Sequence, residues 1–203
     1  MGNSQKFRPT FVLIALNVAF YIYTSVVGGD FLSTNINVIL HYGQVNLHII
    51  YNGWYYQLFT SLFVHTDITH IVGNMLFLLI FGLRGEEMFS LPEYLAIYFL
   101  GGLTGNLLSL VLLPLATISV GASGAIFAMF GASIIYARRS FSQSIIGALI
   151  YAFFLLLISS GAGVNNFAHI GGLVTGLLIG YFLAVRRKPE TRYTVNYSYS
   201  TFP

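Results

Sequence analysis

The sequence predicts an all-α, polytopic membrane protein, a bundle of six transmembrane helices, and three observations carry that prediction. Hydrophobic residues fill 56% of the 203 positions and charged residues only 7%, with a mean hydropathy of +0.77. A soluble domain of this size carries several times more charge. Six apolar stretches follow one another, from Phe11 to Val27, Ile68 to Leu83, Tyr94 to Leu113, Ala122 to Ala137, Ile145 to Ile158 and Phe167 to Val185. All 9 lysines and arginines fall at alternate junctions between them, which places every basic residue on one face.

The elements are justified in order. Residues 1–10 lead into an apolar run without a small-residue cleavage site, so that run is expected to remain as span one instead of being removed. Lys6 and Arg8 precede it, Arg84 follows span two, Arg138 and Arg139 follow span four, and Arg186, Arg187, Lys188 and Arg192 follow span six. Lysine and arginine concentrate in cytoplasmic loops, so both termini are expected in the cytoplasm. Several stretches are shorter than the roughly 20 residues of a full crossing, and neighbouring uncharged polar residues make up the difference. The six-span core is thus expected at 11–185, with a cytoplasmic N-terminus at 1–10 and a polar tail at 186–203.

The first loop, about 28–67, contains one stretch that tempts a seventh span, Phe31 to Tyr51. Asn35, Asn37, His41, Gln44, Asn46 and His48 argue against it, and a crossing there would move Arg84 to the other face. An amphipathic segment at the outer interface fits better. Tyr51, Trp54, Tyr55 and Tyr56 suit the same interface, where amphipathic rings are enriched.

With direction fixed, helical rise gives depth. Ser123 lies about 22 Å above Arg138, His169 about 25 Å above Arg186, and His70 about 21 Å above Arg84. Three spans bring polar groups to one level in the outer part of the membrane, with Asn74 about one turn deeper and His65 about one turn higher. Ionisable groups inside a bilayer are costly and mark functional sites by default. Small residues let the same spans approach: Gly172, Gly176 and Gly180 on span six, Gly124, Ala128 and Ala132 on span four, and Gly101 and Gly105 on span three.

A serine hydroxyl becomes nucleophilic when a neighbouring base takes its proton, and His169 is the candidate base for Ser123. No carboxylate stands at that depth to orient the imidazole; Asp67 lies closer to the surface, in the turn before span two. A Ser-His dyad is therefore expected, with Phe127, one turn after Ser123, packing a ring against the histidine. Asn74 and His70, four residues apart on span two, are the candidate donors to a tetrahedral oxyanion. The absence of cysteine excludes disulfides, thiolate catalysis and thiolate metal sites.

The ordered set His65-x4-His70-x3-Asn74, then Gly121-Ala122-Ser123-Gly124, then Ala168-His169-x2-Gly172-x3-Gly176 resembles the rhomboid intramembrane serine proteases in identity, order and spacing. The resemblance covers all six spans. It implies a six-helix bundle that hydrolyses peptide bonds in or beside the transmembrane segment of single-span substrates through Ser123 and His169. It further implies that His70, Asn74 and main-chain N–H groups near Ser123, at Gly121 and Ala122, line the oxyanion hole. Substrates would enter between spans two and five, and the loop before span six would act as a cap. His65, Phe127, Gly124, Gly172 and Gly176 are the supporting residues. No cofactor, metal or nucleic-acid partner is expected, the bilayer and membrane-protein substrates being the partners. A prokaryotic plasma membrane, with the site toward the outer face, suits the compact build.

Three positions depart from the family pattern. Tyr56-Gln57 stands where the family has Trp-Arg, which leaves the anchoring of the first loop open. Met88 stands where an arginine often follows the glutamate matched to Glu86, and Phe127 replaces a tyrosine. The competing classes are a rhomboid-like protein that binds clients without cutting them, a small transporter or channel, and a zinc site on His65, His70 and His169. The sequence lacks the His-Glu-x-x-His pattern of zinc peptidases. It also lacks the paired halves common in transporters.

Overall fold

The computed structural model describes residues 8–140, 145–159 and 163–187. Lys6, Lys188, Arg192 and most of the predicted polar tail lie outside the described residues. Within them, each of the six apolar stretches contains a helix: α1 (Pro9–Gly28), α5 (Ile68–Met88), α6 (Leu91–Leu112), α7 (Ser123–Ser140), α8 (Ile145–Ser159) and α9 (Asn166–Arg186). Helices α1, α5, α6 and α9 are long and apolar enough to cross a membrane, whereas the apolar stretch of α7, Ser123–Arg138, is shorter. Helix α8, at 15 residues, is also short. The protein is a helical membrane bundle.

Local chemistry sets the helix ends. Pro9 and Pro92 occupy first-turn positions, where a missing N–H costs nothing. Asp67 caps α5 by accepting from the His70 N–H at 2.8 Å. Ser90 and Glu93 form a reciprocal capping box on α6. Asn165 caps α9 through the Ala168 N–H at 3.1 Å.

The first loop holds α2 (Ile36–Tyr42), the strand β1 (Gln44–Val45), α3 (Asn46–Asn52), α4 (Gln57–Thr60) and a 3-10 turn at Ser61–Phe63. Helices α2 and α3 have only 7 residues each, too few to cross, and they expose Ile36, Leu47 and Ile50. Strand β1 pairs antiparallel with β2 (Ile118–Ser119), the segment that leads into α7, with Gln44 opposite Ser119. The loop is therefore fastened to the chain just before Ser123.

Gln57 settles how the loop is anchored. It is fully buried, donates to the carbonyls of Leu40 at 2.8 Å and His41 at 3.2 Å, and accepts from the Val45 N–H at 3.0 Å. An uncharged amide thus satisfies three main-chain groups where the family places an arginine. At a second departure, the Met88 side chain packs against the core, and its carbonyl accepts from Arg187, whose guanidinium also pairs with Glu93 and lies over the Tyr136 ring. The cation at that corner comes from the end of α9. Glu86 accepts from the Thr10 N–H at 2.9 Å, tying the start of α1 to the end of α5.

Helix α7 is the centre of the bundle. Ala125, Ala128, Met129 and Ala132 are fully buried, and α5, α6 and α9 pack around it. Close approach depends on missing side chains. A Cβ on Gly172, Gly176 or Gly180 would collide with the carbonyl oxygen of Gly124, Ala128 or Ala132, and one on Gly101 with the Ala128 Cβ. A Cβ on Gly171 would stand 2.8 Å from the Gly105 Cα. With no hydrophobic drive between helices in lipid, such backbone-to-backbone van der Waals contact is the main attraction.

Candidate active site

Ser123 opens α7, and its position is prepared by the residues before it. Gly121 has φ of 114°, a conformation that L side chains avoid. A Cβ there would also lie 2.8 Å from His70 Nε2. Both restrictions make glycine necessary at 121. The turn is pinned from below by the Gly121 N–H, which donates to the Ser61 carbonyl at 2.9 Å.

His169 lies one turn into α9 and is buried, 6% exposed. Its Nε2 is 2.8 Å from Ser123 Oγ, a hydrogen bond between two helices 46 residues apart in sequence. The Phe127 ring stacks on the imidazole at 4.5 Å between centroids and an interplanar angle of 23°. Among the described residues no carboxylate reaches Nδ1, which is buried without a protein partner. Asp67 is occupied elsewhere, by Thr66 and Thr69 hydroxyls and the His70 N–H.

On α5, His70 Nδ1 lies 3.0 Å from Thr66 Oγ1, so Nε2 faces Gly121. Asn74 spends one N–H on the His70 carbonyl at 2.9 Å, and its buried Oδ1 has no hydrogen-bond partner among the described residues. Both side chains line a cavity of about 690 Å³, together with Ser123, Gly124, Phe127 and His169. Phe77 and Phe81 from α5, Leu155 from α8 and Val164 before α9 supply apolar wall. Among the described residues, Asp67 is the sole Asp, Glu, Lys or Arg in the lining.

Two further predicted residues, the supporting His65 and the candidate donor Gly121, have the following settings. His65 is fully buried beside the cavity; its ring packs edge-on to His70 at 5.1 Å, and its carbonyl accepts from Thr34 Oγ1 at 2.6 Å. That is the setting of a loop-shaping residue. Gly121 has its N–H committed to Ser61, so it cannot also donate to an oxyanion, and it contributes by leaving room for His70. The main-chain donors that remain are those at the start of α7, where the first N–H groups have no intrahelical partner.

Sequence reasoning missed a buried amide and hydroxyl network beside the site. Gln44 donates to Asn46 Oδ1 at 2.9 Å and to the Asn106 carbonyl at 3.1 Å. Asn106 donates to Ser61 Oγ at 2.9 Å, and Asn165 donates to Ser109 Oγ at 2.6 Å. The signal was faint: single polar residues in apolar surroundings, without a spacing that joins them.

Comparison with known proteins agrees with the architecture. The Rhomboid domain family matches residues 52–186. The chain belongs to the rhomboid family. It is similar to the Rhomboid protease GluP of Bacillus subtilis (strain 168), 33% identical over 180 residues, covering 85% of this chain and 34% of the relative. The Putative rhomboid protease YdcA of the same organism is 34% identical over 149 residues, covering 70% and 73%. RHOMBOID-like protein 6, mitochondrial, of Arabidopsis thaliana is 36% identical over 137 residues, covering 64% and 44%. The chain spans less than half the length of several curated relatives, 44%, 35% and 34% in three cases.

Proposed function

We propose that this chain is an intramembrane serine endopeptidase that hydrolyses peptide bonds in or next to the transmembrane segment of single-span membrane proteins, using a Ser123–His169 dyad. The observation that carries this reading is the 2.8 Å hydrogen bond from Ser123 Oγ to His169 Nε2 inside a cavity. Relatives named as rhomboid proteases support it.

The chemistry follows from the contacts. Nε2 accepts the hydroxyl proton as Oγ bonds to the scissile carbonyl carbon, and the carbonyl π electrons move onto oxygen. The resulting oxyanion needs donors in a water-poor site. Asn74 Nδ2, His70 Nε2 in its protonated tautomer and the N–H groups opening α7 are within the same cavity to supply them. Collapse breaks the C–N bond, and His169 returns its proton to the leaving amine. Water then attacks the acyl-serine, with His169 again as base, and releases the carboxyl product. Phe127 fixes the ring plane on one side, a restraint that stands where a triad uses a carboxylate.

In the bilayer, six crossings with both termini cytoplasmic would put this cavity toward the outer face of a prokaryotic plasma membrane. Apolar cavity walls from α5 and α8 suit a transmembrane segment entering between those helices. The test is reconstitution with a labelled single-span substrate in lipid vesicles. Cleavage by the wild type and none by Ser123→Ala is expected. Retention of uncut substrate by both proteins would favour the non-cleaving alternative.

A further inference from the structure

The segments that carry Ser123 and His169 are joined twice. Four residues before Ser123 stands Ser119, in β2, and four before His169 stands Asn165, the cap of α9. Asn165 Nδ2 donates to Ser119 Oγ and, at 2.6 Å, to Ser109 Oγ on α6. Its Oδ1 accepts from the Ala168 N–H at 3.1 Å, and its carbonyl accepts from the His169 N–H at 3.3 Å. Ser109 and Ser119 are buried, with their hydroxyl oxygens 3.3 Å apart. Ser119 is itself held in register by Gln44 across the two-stranded sheet. One side-chain amide therefore meets α6, β2 and α9 at once.

We propose that Asn165 is a positioning residue for the dyad: it fixes the first turn of α9, and with it the His169 ring, to the strand that feeds Ser123. This rests on the Ser123–His169 reading above. Among the described residues His169 Nδ1 has no carboxylate partner, so ring placement depends on Phe127 and on how the first turns of α9 are held. An error of about 1 Å in that placement is enough to cost up to a hundredfold in rate. The segment before Asn165 borders the cavity through Gly163 and Val164, and the cross-link ties the cap of α9 to α6 and β2 just ahead of the backbone contacts that Ala168 and Gly172 make.

Capping and cross-linking are separable. Asn165→Ser keeps an oxygen that caps the Ala168 N–H but is too short to reach Ser119 and Ser109. Asn165→Asp keeps the reach, its carboxylate accepting from both hydroxyls. The experiment measures the second-order rate of labelling by a fluorophosphonate, the KM and kcat for a single-span substrate, and the unfolding midpoint, in the full chain in detergent. Asn165→Ser is expected to lower the labelling rate and kcat by about tenfold or more, with KM and the unfolding midpoint close to wild type. Asn165→Asp is expected to recover part of that loss, and Ser119→Ala to add little in the Asn165→Ser background. Wild-type labelling by Asn165→Ser would overturn the role, as would a loss matched by an equal fall in the unfolding midpoint. A wild-type chain that does not label at all would instead overturn the dyad, and the Asn165 role with it.

Discussion

Gly172 lies so close to Gly124 that the carbonyl oxygen of one occupies the space where the other would carry a Cβ. Gly172 is three residues after His169 and Gly124 follows Ser123, so this backbone contact, together with Phe127 and the Asn165 cap, bears on the distance across which the imidazole reaches the hydroxyl. Small-residue packing and the Ser123–His169 geometry are one feature in this protein.

A methyl group at that contact must push α7 and α9 apart. Gly172→Ala is expected to lower the unfolding midpoint, by the order of an overpacked core substitution, about 1 to 3 kcal/mol, and to reduce activity more than in proportion. Gly73→Ala is the control, since a Cβ there meets nothing within 4 Å. Its unfolding midpoint should hold or rise. Thermal unfolding in detergent checks both.

Asn74 sits in the cavity with one N–H unspent on its own helix. If that N–H serves the oxyanion, Asn74→Ala lowers kcat by ~10² to 10³-fold, the loss typical of one such donor, while KM changes little. Steady-state kinetics on a single-span substrate separate the two constants. An unchanged kcat removes Asn74 from this role.

Gln57, itself buried, bonds three main-chain groups of the first loop. Gln57→Leu removes that partner from the Val45 N–H and the Leu40 carbonyl, the His41 carbonyl keeping the Tyr56 hydroxyl, at about 1 to 3 kcal/mol for each group that finds no water. The variant is expected to unfold at lower temperature and to become sensitive to proteolysis between 28 and 67. Limited proteolysis followed by mass spectrometry locates the cuts.

Asp67, just outside α5, has a carboxyl held down to about 2 from the usual 3.8, first by the Thr69 hydroxyl, with Thr66 and the His70 N–H adding to it. A depressed folded-state value means the carboxylate stabilises the fold above about pH 4, and that contribution is lost as pH falls toward 2. Unfolding midpoints recorded across pH 2 to 5 should fall more steeply in the wild type than in Asp67→Asn. Equal slopes would remove Asp67 as the cap that matters in acid.

The bundle was legible in the sequence because bilayer physics writes long signals. Apolar stretches and the side preference of arginine place the helices, and helical rise alone sets Ser123, His169 and His70 at one level. Phe127 was legible from its one-turn offset, and the stacked ring is where that offset puts it. The first loop was much less so. Gln57 reads as a lost arginine until the fold brings Leu40, His41 and Val45 around it. Gly121 reads as a donor until the Ser61 carbonyl takes its N–H. Arg187 reads as a topology signal, yet it closes the corner between Met88, Glu93 and Tyr136. These outcomes depend on partners 12 to 99 residues distant, which no local pattern records.

The most direct measurement is labelling of the full chain with a fluorophosphonate, followed by identification of the modified residue. A hydroxyl activated by His169 should react at Ser123 in the wild type, with labelling lost in His169→Ala and in Ser123→Ala while both variants remain folded. Undiminished labelling of Ser123 in a folded His169→Ala protein would contradict the account, because the hydroxyl would then owe nothing to the imidazole beside it.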